Sequence, residues 1–96
     1  MRIAYHEPDI RNMIATLRRS AKELRQQGNE MRAVGKLLKD GVLVGQGGEA
    51  FGQALNNTLA NALERLAQRL EERASFAERE LEQHIAAEAK SRSQFK

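Results

Sequence analysis

The stretch GVLVGQGGEAFGQAL, residues 41–55, separates two periodic segments and decides the fold. Within it, GQGGEA at 45–50 follows an apolar run at 42–44 and precedes a helical pattern, which is the outline of a dinucleotide-binding fingerprint. That fingerprint needs a parallel sheet, and 42–44 would be the only strand in the chain. The Walker pattern also fails, because no Lys-Ser or Lys-Thr follows the glycines. Four glycines in the eight residues from Gly41 to Gly48 therefore predict a turn between two helices.

An amphipathic helix is predicted before this turn, over about residues 8–39. Pro8 and Asp9 suit a first helical turn, where proline is tolerated and an acidic side chain is favourable. Gly28 is the weakest point of the segment, and we expect a local bend there. Large apolar residues recur every seven positions at Ile10, Leu17, Leu24, Met31 and Leu38.

A second amphipathic helix is predicted after the turn, over about residues 49–88. Its apolar residues advance by three or four positions at a time, and the central ones are Leu59, Leu63, Leu66 and Leu70. The tail at 89–96 has no periodicity, and we expect it to be flexible.

Two long helices joined by a short turn, 40–48, predict an all-α fold in which they form an antiparallel hairpin. The apolar stripes are wider than a single helix–helix seam can cover. A chain of 96 residues also buries a small fraction of its surface on its own. We therefore expect one domain, 1–96, that dimerises into a four-helix bundle.

Composition narrows the function further. Cysteine is absent, so disulfides and thiolate zinc sites are excluded. The N-terminal residues lack the apolar core of a secretory signal, and no apolar run has the roughly 18 residues that a membrane span needs. The net charge of +3 is unevenly distributed, because residues 1–40 carry 9 basic and 5 acidic side chains while residues 41–96 carry 7 and 8.

No cofactor, metal or catalytic site is predicted. His84 has Glu80 and Glu88 one helical turn away on either side, but di-metal sites in bundles use Glu-x-x-His spacing on two helices. The serines and threonines have no clustered base to activate a nucleophile. The sequence therefore predicts neither an enzyme nor a small-molecule substrate.

Charged residues form two rows with the same seven-residue spacing. Opposed rows of opposite sign can set the register and the partner of paired helices, as flanking charges do in coiled coils. A nucleic-acid-binding basic dimer, or a cytoplasmic scaffold for another protein, is the alternative reading of the positive row. The small net charge and the lack of aromatic stacking residues disfavour nucleic acid as a partner. The rows are Arg11, Arg18, Arg25, Arg32 and Lys39 in the first segment and Glu64, Glu71 and Glu78 in the second.

The turn and the overall architecture resemble the WXG-motif (Esx-type) proteins of about 100 residues that type VII secretion systems handle. The family's turn carries Trp-x-Gly, followed by a small residue and an aromatic that begin the second helix. The matching residues are Leu43 and Gly45, then Ala50 and Phe51. Leucine stands where the family has tryptophan, and it can fill the same apolar cleft with less area.

The resemblance also implies an export signal late in the second helix, formed by a large apolar residue four positions before an acidic one. Phe76 and Glu80 fit this pattern. Both side chains then share one helical face, because residues four apart are neighbours on a helix. An offset candidate of apolar, acidic, apolar and apolar residues is Ala74, Glu78, Leu81 and Ile85.

By this resemblance the chain is a bacterial protein that leaves the cytoplasm without a cleavable signal and is secreted. Its expected partners are a second copy of itself or a paralogous WXG-like chain, the type VII secretion ATPase, and a larger effector. It would be a substrate, partner or chaperone in secretion, and it would work through protein–protein contacts.

Overall fold

The computed structural model describes residues 6–42 and 46–94, and within them every residue from Glu7 onward is helical. A first arm consists of α1, Glu7–Leu37, and a π-helical segment, Leu38–Val42. A second arm consists of α2, Gln46–Gln53, a π-helical segment, Ala54–Leu59, and α3, Ala60–Gln94. The arms pack along their length as an antiparallel hairpin, a rod of 76 × 19 × 18 Å. The predicted all-α hairpin is confirmed.

The ends of the arms differ from the sequence prediction in three places. The first arm stays helical as far as Val42, past its predicted end near residue 39. The second arm starts at Gln46 and continues to Gln94, past the predicted end near residue 88. Residues 86–94 contain neither Gly nor Pro and consist largely of helix-forming Ala, Glu, Lys and Arg, so propensity carries the helix on without an apolar stripe. The predicted flexible tail is thus helical as far as Gln94.

α1 begins as the sequence predicts. Pro8 occupies its first turn, with Glu7 and Asp9 beside it, and His6 precedes it in an extended conformation. Arg11 donates a hydrogen bond to Glu7 across one turn. At the other end the chain stays helical, because Leu38 keeps helical dihedral angles and its N–H bonds back to Val34 and Gly35.

A row of small residues forms the contact between the arms, which we call the seam. Its members recur every seven residues, except for the eight-residue step from Gly52 to Ala60, and all of them are buried. The seam narrows along the hairpin, from large side chains at the open end, through alanines, to glycines near the turn. In α1 the seam residues are Ile14, Ala21, Gly28 and Gly35, and in the second arm they are Gly52, Ala60, Ala67, Ala74 and Leu81.

The narrow end of the seam brings two backbones into direct contact. A Cβ built on Gly35 would lie 2.7 Å from the carbonyl oxygen of Gly52, and one on Gly52 would lie 2.7 Å from the oxygen of Gly35. At Gly28 a Cβ would lie 3.4 Å from the oxygen of Ala60, an ordinary contact. α1 runs without interruption through Gly28, whose small size serves the seam.

The π-helical segment Ala54–Leu59 changes which residues of the second arm face the seam. Counting back by sevens from Ala60 would place Gln53 in the seam, yet Gly52 is buried and Gln53 is exposed. A π turn takes up more residues than an α turn, so it absorbs the one-residue offset. This shift brings Gly52 into the seam, where its backbone contacts that of Gly35.

We predict opposite effects on the free energy of unfolding when each of the two glycines of α1 is replaced by alanine. Gly35→Ala should lower the free energy of unfolding by about 1–3 kcal/mol, because the added methyl group meets backbone that cannot move aside. Gly28→Ala should be neutral or raise it by up to about 1 kcal/mol, because the methyl group fits and alanine favours the helix. Urea unfolding followed by circular dichroism, at one fixed protein concentration, measures both. Equal stability of the two variants would contradict the close approach of the backbones at Gly35.

Candidate protein interaction surface

Ion pairs between the arms line one side of the seam, which we call the ionic face. Its residues lie four positions after seam residues in both arms, and the numbers of each pair add to 96. Arg18 Nη1 lies 2.6 Å from Glu78 Oε2, and Arg32 Nη2 lies 2.8 Å from Glu64 Oε2. Arg25 pairs with Glu71 midway between them. Three arginines of the first row therefore meet the three glutamates of the second row within one chain, and all three pairs have the same register.

The central pair perturbs both of its members. The hydrogen bond that Arg25 donates lowers the pKa of Glu71, and the positive charge of Arg18 acts in the same direction. Glu71 in turn raises the pKa of Arg25. Because the pKa of Glu71 is lower in the folded protein, its contribution to stability is present above its ordinary pKa near 4.5 and is lost as the pH falls through the lowered value.

The titration of Glu71 can be measured directly. Replacing its hydrogen-bond donor, Arg25→Gln, should return the pKa of Glu71 towards its ordinary value, as followed by carboxyl NMR signals from pH 6 to pH 2. Arg32→Gln is the matched control, because it removes an arginine of the same row that bonds to Glu64. A Glu71 pKa that is unchanged by Arg25→Gln would show that the Arg25–Glu71 pair does not form in solution.

Large apolar side chains line the opposite side of the seam, which we call the apolar face. Most lie three residues after a seam residue or one residue before it. In antiparallel helices, positions with the same offset from the seam fall on the same side of it. The members of the apolar face are Ile10, Met13, Leu17, Leu24, Met31, Val34 and Leu38 in the first arm and Phe51, Leu55, Leu59, Leu63, Leu66, Leu70 and Ala77 in the second.

This face is only partly covered by the hairpin itself. Leu38 is buried, whereas Leu59 and Leu66 are 45% and 46% exposed and Phe51 is 55% exposed. The remaining leucines of the predicted core stripe are half-buried, as are Ile10 and Met31. That stripe therefore borders the seam instead of forming it. At the open end of the hairpin the face contains a groove lined by Ile10, Met13, Ala77, Glu80, Leu81 and His84.

The outer edges of the apolar face, two residues after each seam residue, form two exposed rims. In α1 the rim carries Glu23, Glu30 and the apolar Leu37, which is 56% exposed. The rim of α3 carries Arg69 and Phe76, and Phe76 is 58% exposed. Over the side chains that the structure describes, the large exposed apolar residues all lie on this face or on its rims: Met13, Val34, Leu37, Phe51, Leu59, Leu66 and Phe76.

The predicted turn motif lies partly outside the described residues. Leu43 and Gly45 fall in the gap at 43–45, so their predicted role is not visible. Phe51 belongs to α2, and its ring is on the apolar face.

The two candidate export signals have different surroundings. Phe76 and Glu80 are both exposed. In the offset candidate, Ala74 and Leu81 are buried in the seam, and Glu78 is bonded to Arg18. Ile85 packs against the apolar cluster at the open end. The side chains of the offset candidate are therefore all engaged in contacts within the hairpin itself.

The two histidines lie beside carboxylates. His84 Nε2 is 3.3 Å from Glu88, and His6 Nδ1 is 3.1 Å from Asp9. Among the described residues, no three His, Cys, Asp or Glu side chains converge as a metal site would require. No helix in the described ranges combines the length and hydropathy of a membrane span.

The seam was not identified from the sequence. Its signal is the seven-residue spacing of small residues, which runs beside the more conspicuous spacing of leucines. Comparisons with protein-family models, with curated proteins and with solved structures give no match to this chain.

Proposed function

We propose that the chain acts by protein–protein association, with the apolar face docking on another helical hairpin to complete a four-helix bundle. The observation that carries this proposal is the uneven division of the surface. One side of the seam is closed by ion pairs, whereas the other exposes large apolar side chains along both arms. Contiguous exposed apolar area of this kind is characteristic of interaction sites.

The size of the face is sufficient for a stable complex. The rod is 76 Å long and up to 19 Å wide, so one long side exceeds in projection the roughly 800 Å² that each partner contributes to a standard interface. A second copy is the simplest occupant, because its face has the same length and the same two-helix width. A paralogous hairpin with an equivalent face is the other partner that this geometry accepts.

The resemblance of the turn to Esx-type proteins supports a more specific role. We infer that the hairpin is a substrate or partner of a type VII secretion system, exported as a folded bundle from the bacterial cytoplasm. Phe76 and Glu80 support this role as the export signal, because both are exposed on a helix that the rest of the hairpin holds rigid. The secretion ATPase and a larger effector would be its further partners.

Pairing of the arginine row within the hairpin favours protein over nucleic acid as the partner. Arg18, Arg25 and Arg32 each bond to a glutamate of α3, which neutralises the middle of the row. Phosphate binding would have to break these pairs, and its affinity would fall steeply with salt.

Self-association is tested by the mass of the purified chain in solution. Sedimentation at micromolar concentration should give about twice 10.8 kDa. Leu66→Arg places a charge in the centre of the apolar face and should weaken association by about 100-fold or more. Gln68→Arg is the matched control, because it adds the same charge two residues away on an exposed position outside the face. A well-folded wild-type monomer would contradict self-association.

Export is tested in the source cell. Phe76→Ala combined with Glu80→Ala should abolish secretion while the helical circular dichroism signal is retained, because both side chains are exposed. The matched control combines Gln68→Ala with Glu72→Ala, an exposed pair with the same spacing on the same helix. Secretion of the first variant at the wild-type level would remove Phe76 and Glu80 from this role.

A further inference from the structure

We propose that the hairpin has a second register, in which α1 is displaced along α3 by seven residues, about 10 Å, away from the turn. We call it the shifted register, to distinguish it from the observed one. The equal seven-residue spacing of the seam and of the charged rows carries this inference. It concerns contacts between the two arms of one chain, so it does not depend on the proposed self-association.

The ion pairs of the ionic face are retained in number after the displacement. Each arginine meets the glutamate that follows its observed partner in the row. Arg18 loses Glu78, but Lys39 gains a partner, because position 57, the next in the row of glutamates, is an asparagine that leaves this lysine unmatched in the observed register. The shifted pairs are Arg25 with Glu78, Arg32 with Glu71 and Lys39 with Glu64.

The middle of the seam also fits after the displacement. In the observed register Ala21 lies opposite Ala67, because Gly28 faces Ala60 and the two helices run in opposite directions. One repeat further along α3, Ala21 lies opposite Ala74. No side chain larger than alanine enters these contacts, which are Ala21 with Ala74, Gly28 with Ala67 and Gly35 with Ala60.

The part of the second arm that the displacement releases has weak helix propensity. α2, Gln46–Gln53, contains three glycines in eight residues, and glycine disfavours a helix relative to alanine. The π-helical segment Ala54–Leu59, which follows it, contains two asparagines and a threonine. In the shifted register Gly52 has no place in the seam, so the offset that the π turns provide is not needed. The connection between the arms lengthens at the expense of α2.

The observed register is the more stable of the two. It keeps α2 helical and the backbone contact between Gly35 and Gly52 closed. It also places Ile14 opposite Ala74, whereas the shifted register places it opposite Leu81, so that two large side chains share the seam. The shifted register is therefore a minor state. Phe51 leaves the apolar face together with α2, so the two registers present different surfaces to a partner.

Disulfide trapping measures the two registers, since the chain has no cysteine of its own. Ala21→Cys with Ala67→Cys reports the observed register, and Ala21→Cys with Ala74→Cys reports the shifted one, because a disulfide needs Cα atoms within about 7 Å. In the otherwise unchanged chain the first pair should form about tenfold more cross-link than the second. A link within one chain keeps the mass near 10.8 kDa, and a link between chains doubles it.

Replacing Gly35 should favour the shifted register. Gly35→Ala should raise the ratio of shifted to observed cross-link by about tenfold. The added methyl group meets the carbonyl oxygen of Gly52 in the observed register, whereas in the shifted register it faces Ala60, as alanine faces alanine elsewhere in the seam. Gly28→Ala is the matched control and should leave the ratio unchanged, because alanine at that position fits both registers.

Two variants at exposed positions test the ion pairs without disturbing the seam. Arg18→Gln removes a pair that exists only in the observed register, so it should raise the ratio by about two- to fivefold. Lys39→Gln removes a pair that exists only in the shifted register, so it should lower the ratio by about the same factor.

The outcomes decide for or against the second register. A ratio that rises with Gly35→Ala and Arg18→Gln and falls with Lys39→Gln supports it. Absence of the shifted cross-link from every variant overturns it, and so does a ratio that Arg18→Gln and Lys39→Gln move in the same direction. If Gly35→Ala does not fold, the two exposed variants decide alone. The mass of the wild-type chain, which tests self-association, has no bearing on these ratios.

Discussion

Close backbone approach along the seam is the constraint on which the rest of the hairpin depends. Where Gly35 meets Gly52, no Cβ can be accommodated on either helix. Helices this close leave no interior space for leucine-sized side chains between them. The large apolar residues are therefore displaced to one side of the seam, and long arginine and glutamate side chains bridge the arms on the other. Both faces of the molecule follow from the size of the residues in the seam.

A thin seam also limits what the hairpin can gain from burial. Burying alanine or glycine removes little apolar area from water, at roughly 25 cal/mol per Å², whereas a leucine contributes several times more. In this chain Leu38 and Leu81 are buried, but most of the other leucines remain half-buried or exposed, so a large part of the available hydrophobic free energy is not used by the hairpin alone. Docking of a second helical pair recovers it. Folding and association are for this reason expected to be coupled.

The fold could be predicted from the sequence to the level of a hairpin, because glycine clustering and helical periodicity are local signals. The interhelix ion pairs were also visible as Arg and Glu rows with one spacing. The seam was missed because leucine at seven-residue spacing is taken as the core, although Ala60, Ala67 and Ala74 show the same spacing. The continuation of the helix from residue 88 to Gln94 was missed because no apolar stripe runs through these residues, so exposed helix propensity alone decides it.

The π-helical segment Ala54–Leu59 shows why a site of this kind is hard to read from periodicity alone. In an uninterrupted α-helix, eight residues from Gly52 to Ala60 advance about 80° beyond two turns, which would turn the glycine out of the seam. Phe51 would then point to the back of the second arm. The extra residue absorbed by the π turns restores both positions, so one local irregularity keeps the backbone contact closed and the apolar face continuous as far as α2.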